Sequence, residues 1–580
     1  MCAILGVVGE KLPDEEKFVK ARDALAHRGP DDAGLYYDSA SGVALGHRRL
    51  SIIDLSSAGR QPLWSNDGRY AIVFNGEVYN YRELKSELAG SYDFKTHTDT
   101  EVLLAAYIVW GKKALPKLNG MFAFAVWDKK RGELFAARDR LGVKPFLYHM
   151  ENNGALSFAS EIKGLLALGV EAKPNDALIY DYLAHGLYDH RFETWFEGIH
   201  KLPAGHFLTF QKGKLSIEKY WDLADVATSP ATISLEKGKQ KFLELFEDAI
   251  RLRLRSDVPV GLNLSSGLDS AAILYFAEKN YQKPFELFSM RSSDPLFDEG
   301  ALIEPMLTKT QRSHWHTSAL SKPTVSDFEK VLFEQEEPYG GIPTLAYTKL
   351  AECAKKAGVT VILEGQGGDE LFAGYRYFRP EFLREETAGR SQDATIEVSQ
   401  TVLHPAFVAL HKREAWKAPQ PFDSALLNAQ YRDLMHTKLP RVLRFNDRLS
   451  MAASREYRQP FLDYRLVEFA FFLPDDLKIR GGVQKFLLRE AMQGIIPPEI
   501  GAREKKTFGA LQTPLFREAL QKPITDILTS ASFRSRPYFD HRKVAAAAER
   551  FFAGESDNSF FIWQWVNLEL WFRSYIDSTE

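Results

Sequence analysis

Cysteine is nearly absent from this sequence, since only Cys2 and Cys353 occur among 580 residues. Two cysteines are too few for a disulfide framework, which indicates a reducing compartment, and we expect the cytoplasm. No apolar run approaches the roughly 18 residues of a membrane span. The N-terminus also lacks a basic segment followed by an apolar run, so we expect no signal peptide.

A large excess of charge of either sign is missing too. The net charge is −3, from 74 basic and 77 acidic residues. Neither a nucleic acid nor a membrane surface is therefore expected as a partner. With 45% apolar residues, a chain of 580 residues can bury the cores of two large domains.

Short apolar runs separated by polar turns and helical segments dominate the first 210 residues. Such runs are typical of strands buried on both faces, so the pattern predicts stacked sheets covered by helices. The clearest runs are 3–8, 70–74, 121–127 and 133–137, with helical patterns at 82–88 and 100–110.

Cys2 directly follows the initiator methionine, whose removal would leave a thiol and an α-amine on one residue. Their ordinary pKa values, roughly 8.5 and 7.7–8.0, suit proton transfer between them at neutral pH. An arginine can grip an α-carboxylate, and an asparagine beside a glycine N–H can stabilise an oxyanion. Asn75-Gly76 alone is equally typical of a hairpin turn.

The polar segments 27–32, 47–51, 75–79 and 96–101, together with 120–124, 137–145 and 159–163, resemble one family. They are similar to the glutaminase domain of glutamine amidotransferases that use an N-terminal cysteine nucleophile. The resemblance implies a four-layer αββα domain over residues 1–210. The residues that it assigns are Cys2 as nucleophile with its own amine as base, Arg49 for the glutamine carboxylate, Asn75 and Gly76 for the oxyanion, and Glu77 and Asp99 for the ammonium group.

Residues 205–240 read as the hinge between domains, and an amphipathic helix is predicted from about 235 to 255. The segment 258–273 then predicts a buried strand, a small Ser/Gly turn and a helix from near Asp269. Backbone N–H groups and the helix dipole favour phosphate at such a turn. In 359–375, an apolar run, a glycine-rich turn and paired acids suit a Mg²⁺ site facing nucleotide phosphates.

These two segments, with 447–454, 458–463 and 481–489, resemble the synthetase domain of the glutamine-hydrolysing asparagine synthetase family. Ser266 replaces the first of the paired glycines in that family's pyrophosphate loop. The resemblance implies an α/β PP-loop domain over residues 211–580, with a parallel sheet and a helical C-terminal part. It assigns ATP to Leu264, Ser265, Ser266, Gly267, Asp269, Ser270, Gly367 and Lys485, Mg²⁺ to Asp269 and Asp369, and charge stabilisation during adenylation to Lys485.

The resemblance implies an ATP- and glutamine-dependent ligase that converts a carboxylate into an amide and releases AMP and pyrophosphate. Aspartate is the leading acceptor. However, Gln366 stands where aspartate-using members carry a glutamate that helps deprotonate ammonia, and the segment 336–344 is shorter than its counterpart. A sugar (uronic) acid acceptor therefore stays open, as does a glutaminase with a non-catalytic second domain. A homodimer is also possible.

Two histidines, the second cysteine and one glutamate lie outside these motifs. His314 and His316 could form a metal pair, although a structural interpretation is favoured without further ligands. Cys353 is expected to pack within a helix. Glu364, two residues before Gln366, is expected to point to the opposite side if its strand continues that far.

Overall fold

The computed structural model describes residues 2–226, 233–283, 285–292, 298–307, 313–320, 322–379, 381, 383, 400–501 and 511–577. Its first part contains two six-stranded sheets. The first has the order β10-β8-β9-β1-β3-β2 and the second β12-β11-β7-β6-β5-β4, with antiparallel pairing. The strands are β1 Ala3–Val8, β2 Asp32–Asp38, β3 Val43–Arg49, β4 Leu63–Trp64, β5 Tyr70–Val78, β6 Gly120–Asp128, β7 Glu133–Arg138, β8 Leu147–Met150, β9 Leu156–Ala159, β10 Ile199–Lys201, β11 His206–Gln211 and β12 Lys214–Lys219.

Inner strands such as β1 and β6 are almost continuously apolar because both of their faces are covered. Side chains alternate along a strand, so Ile4 packs between the two sheets while Leu5 packs toward the helices Glu15–Asp23 and Ile162–Leu168. In the second sheet Val73 faces the first sheet, whereas neighbouring side chains pack against the helices Tyr81–Leu88 and Asp99–Trp110. The predicted αββα layering is confirmed. Because β12 continues this sheet just beyond residue 210, the exact domain boundary stays a prediction.

The second part is built on a parallel sheet of order β15-β14-β13-β16-β17. Loops at the carboxyl ends of β13 and β16 carry the residues predicted to bind the nucleotide, as expected for an open α/β sheet. A short antiparallel pair, β18 and β19, lies further on. The strands are β13 Val260–Asn263, β14 Phe285–Arg291, β15 Ser313–Ala319, β16 Val361–Leu363, β17 Glu456–Arg458, β18 Ile479–Arg480 and β19 Val483–Gln484.

Helices surround this sheet and form the C-terminal part, as the sequence predicts. The amphipathic helix expected near 235–255 is observed at Leu235–Arg253. The remaining described α-helices of this part are Leu268–Asn280, Gly300–Leu307, Val325–Gln335, Ile342–Lys356, Gly368–Leu371, Pro405–His411, Ala425–Met435, Lys438–Ala452, Tyr464–Phe471, Asp475–Lys478, Phe486–Met492, Pro498–Gly501, Gln512–Glu518, Gln521–Leu528, Ala531–Ser535, His541–Phe552 and Ser559–Trp571. None of the described helices is both long and apolar enough to cross a membrane.

The hydrophobic core does not stop between the two parts. One cluster of buried side chains includes Leu103 beneath the second sheet, Phe246 on the helix Leu235–Arg253 and Leu262 on β13. A second cluster joins Leu5 and Phe196 of the first part to Trp571 near the C-terminus. The two sheet systems are therefore packed against each other over a shared apolar interior.

Candidate active sites

Cys2 lies buried at the start of β1, with only 8% of its surface exposed. Its backbone nitrogen donates to Asn75 Oδ1 at 3.1 Å, and its Sγ lies 4.0 Å from the carbonyl oxygen of Leu50. Burial raises the pKa of the Cys2 thiol. The thiol is therefore neutral at rest, and a base must take its proton before it can attack.

Asn75 and Gly76 lie within β5, so the alternative interpretation as a hairpin turn is wrong. Asn75 Nδ2 is buried and has no hydrogen-bond partner among the described residues. Gly76 has φ of +151°, and a Cβ there would lie 2.1 Å from the carbonyl oxygen of Met121. A buried donor without a partner, close to a nucleophile, has the chemistry of an oxyanion hole.

Glu77 and Asp99 place two carboxyl groups beside this site. Val78 N donates to Asp99 Oδ2 at 2.9 Å, and Thr98 caps the helix that Asp99 begins. Burial raises the pKa of Asp99 to about 6 and that of Glu77 well above its usual range, with the charges of Glu456 and Asp99 adding to the Glu77 shift. Glu77 Oε2 has no hydrogen-bond partner among the described residues. These carboxyl groups suit a cation such as an α-ammonium group.

Arg49 lies next to Leu50 and so near the Cys2 sulfur. Its guanidinium donates to the carbonyl oxygens of Ser56 at 2.7 Å, Ile53 at 3.3 Å and Asp54. These bonds fix the loop that follows β3. All the residues predicted for the glutamine site thus lie around Cys2, and the carboxylate-binding role of Arg49 stays a prediction.

The predicted pyrophosphate loop joins β13 to the helix Leu268–Asn280. Leu264 N donates to the carbonyl oxygen of Phe288 at 2.8 Å, while Gly267 N donates to Ser265 Oγ and Ser265 N to Ser270 Oγ, each at 3.2 Å. These bonds hold the turn. Ser266 N donates to a carboxylate oxygen of Glu299 at 3.0 Å. A loop amide that already binds a carboxylate has the geometry to bind an anion.

Asp269 and Asp369 meet at Lys485. The ammonium nitrogen lies 2.6 and 2.8 Å from the two oxygens of Asp269 and 2.7 Å from Asp369 Oδ1. The backbone of Gly374 lies directly against these side chains, because a Cβ at Gly374 would be 2.2 Å from Asp369 Oδ1 and 2.3 Å from Lys485 Cε. Carboxylate oxygens fit Mg²⁺, which binds through one or two carboxylates and keeps water and phosphate as its other ligands.

The turn after β16 separates the residues predicted there. Gly367 has φ of +96° and caps the short helix that contains Asp369, whereas Gln366 is half-buried. The strand ends at Leu363, and Glu364 lies just beyond it with 2% of its surface exposed. The strand therefore does not continue to Glu364, and the expected opposite orientation of Glu364 and Gln366, which depended on such a strand, does not follow.

Three residues connect the two sites, and the sequence alone assigns none of them a role. Arg28 Nε donates to the carbonyl oxygen of Cys2 at 3.1 Å, and its terminal nitrogens donate to Asp447 at 2.8 and 3.2 Å. Arg458 lies 3.5 Å from Glu77 and 2.6 Å from Glu456. The HRGP context of Arg28 was the available signal, although nothing in it identifies a partner on another domain.

The other sequence candidates lie outside these sites. Glu286 accepts from, or shares a proton with, His314 Nδ1 at 3.0 Å and His316 Nε2 at 2.6 Å. No group of three or more His, Cys, Asp or Glu able to hold a metal occurs in the part of the chain that is described. Cys353 is half-buried on the helix Ile342–Lys356 and packs against an apolar cluster. The segment 385–440 matches the motifs of the family least, and its residues 385–399 lie outside the described residues.

Comparison with known proteins gives two family matches. The model described as "Glutamine amidotransferase domain" matches residues 1–221, and the model described as "Asparagine synthase" matches residues 241–573. Together with the two sites, these matches define a glutamine-dependent amidotransferase of the ligase class. The chain belongs to the glutamine-hydrolysing asparagine synthetase family.

Individual proteins match this chain over most of its length. An asparagine synthetase [glutamine-hydrolyzing] 3 of Bacillus subtilis (strain 168) is 33% identical over 90% of this chain and 89% of its own length. An amidase, chry2, of Gibberella zeae is 28% identical over 90% of this chain and 89% of its own length. Among solved structures, the allosteric regulatory enzyme of purine biosynthesis matches with a TM-score of 0.30 and 17% identity, over 63% of this chain and 80% of that one.

Proposed function

We propose that this enzyme hydrolyses glutamine at Cys2 and delivers the ammonia to a carboxylate that its second domain has adenylated. The acceptor that family membership favours is L-aspartate, which would give L-asparagine, AMP and pyrophosphate. Ammonia released into water at pH 7 would be protonated and useless as a nucleophile, so an internal route between the sites is part of the proposal. A cytoplasmic location and a homodimer stay predictions.

The first half-reaction follows from the groups around Cys2. Once Met1 is removed, the nitrogen that Asn75 Oδ1 now orients becomes the α-amine and takes the thiol proton. The thiolate attacks the side-chain carbonyl of glutamine, and Asn75 Nδ2 with the Gly76 N–H stabilises the oxyanion. The amine then gives its proton to the departing ammonia. Water finally hydrolyses the γ-glutamyl thioester.

The second half-reaction is assigned to the loop at Ser265–Ser270 and to Lys485. The loop amides would bind the phosphates of ATP, and the Lys485 ammonium would balance charge as pyrophosphate leaves. Mg²⁺, when bound by Asp269 and Asp369, would neutralise the phosphate oxygens. The acceptor carboxylate would attack the α-phosphate and so become an acyl adenylate.

The contact that carries the proposal is that of Arg28. This buried guanidinium donates from Nε to the carbonyl oxygen of Cys2 and from its two terminal nitrogens to the carboxylate of Asp447 in the second domain. A free-standing glutaminase has no use for such a contact. It supports a chain in which hydrolysis at one centre serves a reaction at the other.

A second candidate keeps this chemistry but changes the acceptor to another carboxylate, such as a uronic acid. Gln366 supports it, since an amide cannot serve as a base. The 28% identity to a protein named as an amidase also supports an acceptor other than aspartate. A glutaminase with an inactive second domain is disfavoured by the intact group of Asp269, Asp369 and Lys485.

An acceptor screen with MgATP and amide-¹⁵N-glutamine tests the proposal. Pyrophosphate release and ¹⁵N transfer would be followed with aspartate and with a panel of sugar acids. Label in asparagine supports the aspartate assignment, whereas label only in a uronic amide supports the second candidate. Glutamate formation without ATP consumption for any acceptor would contradict both and leave a glutaminase. The Cys2→Ala variant is the control, and it should lose glutamine-dependent but keep ammonium-dependent amidation.

A further inference from the structure

Glu364 is a buried carboxyl group that is bound by side-chain amides. Asn263 Nδ2 donates to its Oε1 at 2.7 Å and Asn446 Nδ2 to its Oε2 at 2.9 Å, and the side-chain amide of Gln459 lies nearby. No basic side chain in the described ranges forms an ion pair with it. Most buried carboxylates among the described residues instead face a guanidinium or ammonium, as Asp447 faces Arg28. The isolation of Glu364 therefore calls for a chemical explanation.

Amide partners allow two protonation states, which ionic partners do not. A side-chain amide carries both N–H donors and a carbonyl acceptor, and rotation lets it serve either a carboxylate or a neutral carboxyl group. A carboxylate held by arginine stays ionised at every physiological pH. Burial raises the pKa of Glu364 to about 7, against the opposing effect of the three amides and of Lys144. Glu364 can thus exchange a proton near neutral pH.

Its position lies between the two reaction centres. Asn263 ends β13 two residues before Ser265 of the pyrophosphate loop. Asn446 directly precedes Asp447, whose carboxylate holds Arg28 and through it the carbonyl of Cys2. The backbone nitrogen of Glu364 donates to the carbonyl of Arg458 at 2.9 Å, and the Arg458 guanidinium lies 3.5 Å from Glu77. Through these contacts Glu364 is connected both to the residues around Cys2 and to the pyrophosphate loop.

We propose that Glu364 accepts the proton that nitrogen loses when it forms the amide, a role that rests on the function proposed above. The lone pair of NH₃ forms the new C–N bond at the carbonyl carbon of the acyl adenylate. One N–H bond breaks and its proton goes to a Glu364 carboxylate oxygen. The C–O bond to AMP breaks, and its electron pair leaves with the AMP phosphate oxygen. The neutral Glu364 later returns the proton to water.

Besides Glu364, the described titratable groups that act at this position are Lys144 and Tyr457. Lys144, from the loop after β7, acts through space, and burial lowers the pKa of its own ammonium group. Tyr457 on β17 faces Glu364, and burial raises the pKa of its hydroxyl. The side chains from β13 and from the helix Lys438–Ala452 are the neutral amides already named. The near-neutral titration is thus assigned to Glu364.

The test compares nitrogen donors in the full-length Glu364→Gln variant, with MgATP and the acceptor found in the screen. Hydroxylamine is a much weaker base than ammonia, so its adduct loses a proton without help. We expect amidation from glutamine and from ammonium chloride to fall by about 100-fold, the usual scale of general-base catalysis. Hydroxamate formation, glutaminase activity and ATP–pyrophosphate exchange do not need this base, so each rate should change by less than about twofold. Glu364→Asp should recover part of the loss.

The pH profile supplies a readout that a purely structural role would not move. The kcat of ammonium-dependent amidation by the wild-type enzyme should rise as the pH increases through 7, because Glu364 then becomes ionised. The Glu364→Gln variant should not show this rise. Glu334→Gln is the matched control, because it removes another largely buried carboxyl group whose pKa burial raises. Equal losses with ammonia and hydroxylamine, or no loss with either, would overturn the role of Glu364 alone. A wild-type enzyme that amidates no acceptor would instead overturn the proposed function, and the proton-acceptor role with it.

Discussion

Arg28 and Asp447 form a two-pronged ion pair across the domain interface, although 419 positions separate them in the sequence. Their side chains are 0% and 4% exposed, so water does not screen the pair. Arg28 also holds the carbonyl of Cys2 at 3.1 Å and Glu161 at 2.7 Å. Cys2, the proposed nucleophile, is therefore held in place partly by the second domain.

Replacing Asp447 by asparagine should uncouple the two reactions. Removing one partner of a buried ion pair typically costs about 3–5 kcal/mol, because the other charge stays buried. We expect a lower melting temperature and a ratio of glutamate to amide product above one. Asp526→Asn is the control, since Asp526 forms an exposed pair with Lys522 and such pairs contribute little. Unchanged coupling in the Asp447 variant would show that the pair serves stability alone.

Loss of the Asn75 side chain should affect the chemical step of glutamine hydrolysis. Because Asn75 Nδ2 is a buried donor without a partner among the described residues, we expect Asn75→Ala to lower kcat about 10²–10³-fold. Ammonium-dependent amidation should survive. Steady-state glutaminase assays measure the effect, with Asn80→Ala as control because Asn80 bonds a surface carbonyl instead. A rise in KM at constant kcat would assign Asn75 to substrate binding.

A methyl group at Gly374 should disable adenylation without touching glutamine hydrolysis. The added Cβ would fall 2.2 Å from Asp369 Oδ1 and 2.3 Å from Lys485 Cε, so both groups must move. A misplacement of about 1 Å costs on the order of 10²-fold in rate. ATP–pyrophosphate exchange reports the loss. Gly90→Ala should be silent, since a Cβ there meets nothing within 4 Å, and an equal effect in both variants would refute the steric explanation.

Stability should depend on pH differently once Glu364 is removed. Its folded pKa of about 7 exceeds the usual value of 4.5, so the folded protein loses stability as pH rises through this interval. The penalty is complete above pH 7 and amounts to about 3 kcal/mol. Glu364→Gln should therefore gain stability relative to wild type between pH 5 and 8.5. Melting curves in this range measure it, with exposed Glu555→Gln as control, and a flat difference would contradict the buried ionisation.

Much of the fold could be predicted because its signals are local. The strand at 3–8 and the part of β5 at 70–74 are continuous apolar runs, and the turn at Ser265 has the small residues that an anion-binding loop needs. The prediction that Cys2 is the nucleophile rests on its position after Met1. Each of these inferences uses residues that are neighbours in the sequence.

The contacts that join the sites could not be predicted, because their partners meet only in the folded chain. Nothing near Glu364 in the sequence shows that Asn263 and Asn446 will bind it, and an isolated glutamate is ordinarily exposed. Asn75-Gly76 shows the opposite limitation. Its local signal favours a turn, but pairing with β6 places it inside a strand.

The apolar cluster that runs from Leu103 through Phe246 to Leu262 has a consequence for how this enzyme can be divided. Cutting the chain near residue 221 would expose an apolar surface on each fragment. It would also separate Arg28 from Asp447, its carboxylate partner in the second domain. The two halves are thus not modules that could be exchanged freely between proteins. Because they share buried apolar contacts and a buried ion pair, we expect the two halves to fold and unfold together.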